Sequence, residues 1–254
     1  MITAKLNGGL GNQMFQVAAA ESLAIDNKTY IAFDLHNEVV MQGNSAYYYK
    51  KNIFNKLDEL PNNWIPNTIF SEQSPTYSPI PFSDNMAIAG YFQSEKYFIN
   101  NKEYIIDLFS HDETIKRLAK KYNNILSNSV SVHIRRGDYV EIGNARDLEY
   151  FYRALNRLWS IAYLKNILIF SDDIKWCKEN FGYTAYDNIH YIEGQEDYED
   201  MYLMSLCNHN ITDMSSFSWW SAYLNKNPFK RVFMPCSLSE GHTSDFYFCN
   251  TIKV

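Results

Sequence analysis

From about Asn128 onward the chain alternates between short β-branched stretches and longer amphipathic ones. NSVSVHIR (128–135) reads as a strand, DLEYFYRALNRLWSIAYL (147–164) as a helix, NILIF (166–170) as a strand, DIKWCKENF (173–181) as a helix and NIHYIE (188–193) as a strand. EDYEDMYLMSLC (196–207) opens with acids suited to a helix N-terminus, HNIT (209–212) is a short strand, SSFSWWSAYLN (215–225) opens a further helix, and RVFMP (231–235) closes the series. Strand-helix repetition of this kind builds a parallel, doubly wound α/β sheet, with ligands expected at the C-terminal strand ends.

The first half is less regular. MITAKLN (1–7), the helix after Asn12 and TYIAFDL (29–35) form one β-α-β unit, followed by a Pro/Asn/Tyr-rich stretch from about Asn37 to Asp84 without sustained period. MAIAGYF (86–92) is strand-like and DETIKRLAKKYNNIL (112–126) helical. The economical organisation is two α/β lobes, 1–125 and 126–254, joined near NNILSN (123–128).

Composition removes several classes of function. A chain of 254 residues with a formal charge of −6 lacks the basic footprint of a nucleic-acid binder. Four scattered cysteines, Cys177, Cys207, Cys236 and Cys249, form no C-x-x-C pair, which favours free thiols in a reducing compartment over structural zinc. No signal-peptide pattern opens the sequence and no apolar run approaches a membrane span, so a cytoplasmic protein is expected, with peripheral association at the inner membrane face as a variant.

LNGGLGNQMFQ (6–16) places three glycines before a helix, as a loop that cradles an anion would. The third glycine of a dinucleotide fingerprint would fall on Met14, and no P-loop Gly-Lys-Ser/Thr follows. Asn12 is therefore open to two readings, a helix N-cap or a side chain that reaches a ligand.

In SVSVHIRRGDYV (129–140), period-two alternation puts His133 and Arg135 on the same side of the strand, and a polar face at its C-terminal end is expected to open into a cleft. The planar guanidinium of Arg135 suits a diphosphate, Gly137 permits a turn, and Asp138 can hold a guanidinium. Alternatively, Arg135 and Asp138 form a structural pair beside a satisfied histidine. Ser215, Ser216 and Ser218 straddle a strand-to-helix junction where hydroxyls and free amides converge on an anion, with at least one serine capping the helix. Glu196, Asp197, Glu199 and Asp200 are open to two readings: all four are solvated first-turn acids, or one at the mouth of the cleft instead accepts hydrogen bonds from a base. FSDD (170–173) reads as a helix cap at Asp172 or Asp173.

GGLGNQMFQ, GYFQSEKYF, HIRRGDY, FSDD, MSLCNHNI and SSFSWWSAYLN stand in the order seen in the bacterial α-1,2-fucosyltransferases, and the chain resembles that family over almost its whole length. The resemblance implies a GT-B-type fold, two Rossmann-like lobes with parallel sheets facing across a cleft, and inverting transfer of L-fucose from GDP-β-L-fucose to the 2-hydroxyl of a terminal galactoside. By that resemblance Gly11 and Asn12 belong to a loop that closes over the diphosphate and reaction centre. Arg135 neutralises the β-phosphate, His133 contacts the guanine or ribose, Asp200 pairs with the guanine ring, and Ser216 places a hydroxyl on the β-phosphate, in line with the donor role that the junction suggests for Ser215 and Ser218. Arg136 and Asp138 support Arg135, and Asp138 or Glu141 is a candidate general base. No Asp-x-Asp occurs, in keeping with metal-free catalysis and no cofactor beyond the donor. Asp213 and Met214 depart from the family pattern, and an acid there repels a diphosphate unless it points away. The rival expectations are a glycosyltransferase of the same fold using another nucleotide sugar, and an inactive sugar- or nucleotide-binding module.

Overall fold

A computed structural model describes residues 1–36, 43–183, 188–237 and 241–254, so the start of the irregular stretch, 37–42, lies outside the described residues. The chain divides into two compact units, Met1–Asp112 with Glu240–Phe248, and Glu113–Ser239 with Cys249–Val254.

The first unit contains β1 (Ile2–Ala4), the long helix α1 (Leu10–Asp26), β2 (Thr68–Ser71), β3 (Met86–Ala89) and α2 (Lys102–Leu108). Its strands run parallel in the order β1-β3-β2. TYIAFDL, expected as a full strand, makes only two isolated bridges, Ile31 to Ile2 and Phe33 to Glu59, because the chain passes from one partner to another after a single pairing with each. β2 was hidden in the unperiodic stretch because Thr68, Ile69 and Ser71 are exposed on this edge strand, so there is no buried face to impose alternation.

The second unit begins with α3 (Asp112–Lys121) and α4 (Asn123–Leu126), a break at Tyr122 in what the sequence presents as one helix. It continues as β4 (Ser129–Ile134), α5 (Gly137–Glu141), α6 (Leu148–Trp159), β5 (Asn166–Ser171), α7 (Ile174–Asn180), β6 (Ile189–Tyr191), α8 (Asp197–Leu206), β7 (His209–Ile211), α9 (Ser216–Leu224), β8 (Val232–Met234) and β9 (Thr251–Lys253). All six strands are parallel in the order β6-β5-β4-β7-β8-β9. Counted within the unit this is 3-2-1-4-5-6, the Rossmann order, and it reverses direction between β4 and β7. β9 extends the sheet beyond RVFMP; its connection from β8 runs through residues assigned to the first unit and not through a crossover helix, so the strand-helix rhythm does not announce it.

Each sheet face is covered. Val130, Val132, Ile134, Ile167, Ile169 and Phe233 pack under Phe151, Leu155 and Leu158 of α6 and Cys177 of α7. Leu168 and Phe170 pack under Leu203 and Met204 of α8, with Tyr122, Ile125 and Phe217 around them. Each such fully buried side chain contributes about 1.5–3 kcal/mol, so the sheet edge rests on a rigid base.

Candidate active site

The strand order places the ligand crevice where β4 and β7 diverge. The segments leaving these strands are Arg135–Asp138 and Asp213–Ser216, so the switch point gathers Arg135, Asp138, Ser215 and Ser216 of the residues singled out from the sequence.

The polar face of β4 does not open into a cleft. Ser131 accepts a hydrogen bond from Asn210 Nδ2 at 2.8 Å, and His133 is 5% exposed with its ring centroid 5.5 Å from that of Phe217. Burial, with the charge of Arg135 adding to it, pulls the His133 pKa down to about 3, so the imidazole is neutral. Its Nδ1 is buried without a hydrogen-bond partner among the described residues. The face is polar yet enclosed, Ser131 being satisfied by Asn210 and His133 lying against Phe217.

Arg135 follows β4 and is held by carboxylates on two sides. Its Nη1 lies 2.8 Å from Asp172 Oδ2 and its Nη2 2.6 Å from Asp138 Oδ1. The other oxygen of Asp172 accepts the Arg136 amide at 2.8 Å, so one side chain fixes both the guanidinium and the backbone behind it. A Cβ on Gly137 would stand 2.5 Å from Asp172 Oδ2, which explains the glycine in HIRRGDY. The FSDD pair thus divides its work: Asp173 caps α7 by accepting the Trp176 amide, whereas Asp172 is no cap and braces Arg135. Arg136 lies 3.4 Å over the Trp176 ring and 3.6 Å from Asp173. With Asp138 occupied by Arg135, Glu141, exposed at the end of α5, is the carboxylate without a hydrogen bond or ion pair among the described residues.

The β7–α9 junction resolves the departure at Asp213. This carboxylate is wholly buried, accepting Arg146 Nε at 3.1 Å and the Met214 amide at 2.8 Å on Oδ1, and the Arg135 amide at 3.3 Å on Oδ2. Burial pushes its pKa up, against the Met214 amide and the Arg146 charge, and the acid points into the protein. Met214 is also inside, its carbonyl accepting the Tyr139 hydroxyl at 2.7 Å. Arg146 escaped the sequence reading because nothing in ARDLEY marks a side chain that crosses to β7.

The serines separate into two groups. Ser218, expected at the phosphate, is fully buried and donates to the carbonyls of Asp213 and Ser215 at 3.4 and 3.3 Å; one turn into the helix it faces inward, so the donor role expected for it is corrected to a structural one. Ser215 is the N-cap residue of α9 but makes no side-chain cap hydrogen bond, and Ser216 is the first helical residue. The expected serine cap is therefore not made. Trp219 donates the first amide bond to Ser215, so the preceding amides keep the open valences of a helix start.

Asp200 sits in the first turn of α8. Burial, with Asp197 and Glu199 nearby, raises its pKa to about 7, and its Oδ1 is buried without a hydrogen-bond partner among the described residues. Glu196 and Glu199 instead form a capping box, and Glu199 pairs with Arg117. Of these acids Asp200 is the one with an orphaned acceptor.

In the first unit the helix begins earlier than expected. Gly9 is its N-cap without a side-chain cap bond, so Gly11 and Asn12 lie in its first turn and not in the loop, and Asn12 is no N-cap. Gln13 Nε2 donates to the carbonyls of Gly8 at 2.9 Å and Asn44 at 2.8 Å, while Gln16 accepts the Asn7 amide at 2.8 Å and donates to the Asn7 carbonyl at 3.2 Å. Asn12 Oδ1 accepts from Gln93 Nε2 at 2.7 Å, which links GGLGNQMFQ to GYFQSEKYF. Gly8 adopts φ +78°, and a Cβ there would stand 2.7 Å from Asn12 Nδ2. Gly11 is buried in the helix.

No group of three or more His, Cys, Asp or Glu is placed to hold a metal ion among the described residues, and no helix of them is long and apolar enough to cross a membrane.

A parallel α/β chain in two units, with an arginine and open helix amides at a Rossmann switch point, has the architecture of a GT-B glycosyltransferase. The fold matches NodZ α-1,6-fucosyltransferase from Bradyrhizobium, whose crystals were soaked with GDP-fucose, at a TM-score of 0.54 and 14% identity, over 88% of this chain and 91% of that one. The model of glycosyl transferase family 11 matches residues 1–240, and the chain belongs to that family of glycosyltransferases. It is 33% identical over 254 aligned positions to an α-1,2-colitosyltransferase from Escherichia coli, covering 88% of this chain and 87% of that protein. It is 24% identical to galactoside α-(1,2)-fucosyltransferase 2 from Oryctolagus cuniculus, over 92% of this chain and 73% of that one.

Proposed function

We propose that the protein transfers L-fucose from GDP-β-L-fucose to the 2-hydroxyl of a terminal galactoside with inversion, residues 126–254 serving the donor and residues 1–125 the acceptor. The observation that carries this reading is Arg135 at the β4–β7 switch point, held by Asp138 and Asp172. Breaking the fucosyl-phosphate bond leaves negative charge on the β-phosphate. A guanidinium already fixed in place stabilises that charge without reorganisation, so it acts more strongly in the transition state than in the ground state. Ser215, Ser216 and the open amides of α9 supply hydroxyl and N–H donors to the same diphosphate.

Asp200 accepts the ring N–H groups of guanine on the oxygen that is orphaned in the free protein, whereas His133, neutral and buried against Phe217, packs beneath the site and does not meet the nucleoside. Glu141 takes the proton from the acceptor hydroxyl as its oxygen attacks the anomeric carbon and GDP departs with the bonding pair. The positive charge of Arg135 stands in for a divalent ion, so no metal is required.

A second donor is favoured by the colitosyltransferase relative: colitose is L-fucose without its 3-hydroxyl, so GDP-colitose differs from GDP-fucose by one oxygen. Turnover of both donors with a galactoside, in EDTA, tests the proposal. Faster transfer of fucose to O2 is expected. Preference for colitose would move the assignment to the second donor, and GDP binding without transfer or hydrolysis of either would leave a binding module. Loss of turnover on chelation, restored by magnesium or manganese, would overturn the metal-free mechanism.

A further inference from the structure

The strands of the second unit have two ends, and the function proposed above uses only the C-terminal one. The N-terminal edge carries residues 157–166, leading from α6 into β5, and residues 225–231, leading from α9 into β8. Among the described residues of this unit, large apolar side chains stand exposed at Val140 and Ile142 on the donor edge, and at Trp159, Ile161, Tyr163 and Phe229 on the opposite edge. Phe229 is 80% exposed, Tyr163 73%, Ile161 54% and Trp159 42%.

Singly exposed apolar residues are ordinary. Charge and rigidity set these apart. RLWSIAYLKN and NKNPFKR contain Arg157, Lys165, Lys226, Lys230 and Arg231 and no acid, in a chain whose acids outnumber its bases. Lys165, Lys226 and Arg231 are exposed and make no ion pair among the described residues. Lys230 is committed to the carbonyls of Ala222 and Asn225, both at 2.7 Å, and Arg157 donates to the Lys253 carbonyl at 3.2 Å.

The two segments are laced together along the edge. The Lys165 amide donates to the Asn128 carbonyl at 2.7 Å, and the Ser129 amide to Asn208 Oδ1 at 3.0 Å. Asn227 Nδ2 donates to the Asn208 carbonyl at 3.0 Å, and Asn227 Oδ1 accepts the Phe229 amide at 3.0 Å. The starts of β5 and β8 are three strand spacings apart, about 14 Å. Aromatic tips thus project at fixed separation from two segments that carry only positive charge, while the exposed acid on the same end of the sheet, Glu179, stands at the end of α7 outside both.

From this juxtaposition we infer that the N-terminal edge of the second unit docks on an anionic lipid surface: Tyr163, Phe229, Trp159 and Ile161 enter the headgroup layer and Lys165, Lys226 and Arg231 face the lipid phosphates. Trp and Tyr favour that interfacial depth, where an apolar ring and a polar atom are both accommodated. The acidic remainder of the chain is repelled by the same surface, which orients the molecule with this edge down. The inference is independent of the donor assignment, since the edge shares no residue with the switch point.

Sedimentation of the full chain with vesicles of phosphatidylcholine alone, or with about one third phosphatidylglycerol, tests it. Binding is expected to the anionic vesicles only and to fall as salt rises. The double variant Lys165→Glu/Lys226→Glu should weaken it by more than the roughly fivefold per cation expected from simple loss of charge. Tyr163→Ser/Phe229→Ser should weaken it at least about tenfold while donor turnover in solution and melting temperature stay unchanged. Equal affinity for neutral and anionic vesicles, binding unaffected by either variant, or a concentration-dependent dimer that Phe229→Ser abolishes would overturn the inference; the last outcome would make the edge an interface with a second copy. Because turnover is measured on soluble substrates, an inactive protein that binds vesicles would refute the transferase reading and not this one.

Discussion

The β1–α1 junction of the first unit and the β7–α9 junction of the second solve one problem with different chemistry. At each, a strand turns into a helix whose N-cap residue, Gly9 or Ser215, makes no side-chain cap hydrogen bond. A serine that forgoes its cap bond gives up about 0.5–2 kcal/mol in an ordinary helix, whereas glycine at the same position costs only a few tenths. Both loops are instead held from within, by neutral amides in the first case and by a buried ion pair in the second. Gln13 and Gln16 grip the carbonyls of Gly8 and Asn7, whereas Asp213 with Arg146 and the Ser218 hydroxyl grip the turn before α9. At the first junction Gly43 also packs against Gly8 and Gly9, whereas at the second the amides before Trp219 keep the open valences of a helix start. The second junction adds a fixed cation, Arg135, held by Asp138 and Asp172, and under the proposed function this is what would let it neutralise a leaving phosphate.

The strongest way to break the comparison is to remove that cation. Arg135→Ala should lower kcat by about 10²-fold or more with the fold intact, and Arg135→Lys should recover little, because an ammonium cannot reproduce the planar fork. Steady-state kinetics beside a melting curve checks both, and near-normal turnover in the alanine variant would reduce the two junctions to the same kind.

A somewhat smaller loss is expected at the brace. Asp172→Asn keeps an acceptor for the Arg136 amide but not the charge facing Nη1, and should lower kcat about tenfold or more with little change in donor KM. A purely structural role predicts additivity with Arg135→Ala. A positioning role predicts that Asp172→Asn costs almost nothing further once Arg135 is gone, which a double-mutant cycle measures.

The first junction is sharpened by Asn12→Ser. Asn12 follows the helix start and binds Gln93, so the substitution does not exchange one cap for another. If Asn12 orients the departing group, turnover should fall on the order of 10²-fold at most, with a shift in melting temperature matching one lost hydrogen bond, about 1 kcal/mol. If it only ties the loop to Gln93, Gln93→Ala should reproduce the entire effect on both.

The smallest effect concerns pH. Asp200 has a pKa raised to about 7 in the free protein, chiefly by burial, so below that pH it is protonated and presents less acceptor to guanine. GDP affinity should therefore weaken as pH falls below about 7, by at most tenfold per unit, and level off above it. Calorimetry across pH 5.5–8.5 reads this, and Asp200→Asn should flatten the profile.

The sequence made one half of this molecule readable and the other only in part, for identifiable reasons. β4 and β5 were legible as strands buried on both faces, and α6 as a helix with one apolar stripe, which leave strong periodic marks. β2 is an exposed edge and β9 lacks a preceding crossover helix, so neither leaves one. At the site, Arg135 and the helix start at Ser216 follow from their places after β4 and β7. The inward turn of Ser218, the division of labour between Asp172 and Asp173, and the reach of Arg146 to Asp213 depend on side-chain directions and on segments brought together by the parallel sheet, which spacing along the chain does not encode. Asp213 shows the cost of reading charge without direction: an acid beside the proposed diphosphate site does not repel a ligand there once both its oxygens face inward.

The central claim is that the second junction neutralises a diphosphate through Arg135 without a metal, and its most direct test compares GDP with GMP by calorimetry in EDTA, for the native chain and for Arg135→Ala. GMP lacks the β-phosphate, so the native chain should bind GDP at least about tenfold more tightly, and Arg135→Ala should erase most of that ratio while changing GMP affinity little. Equal weakening of both nucleotides by Arg135→Ala, or a GDP preference that appears only when magnesium is supplied, would contradict it.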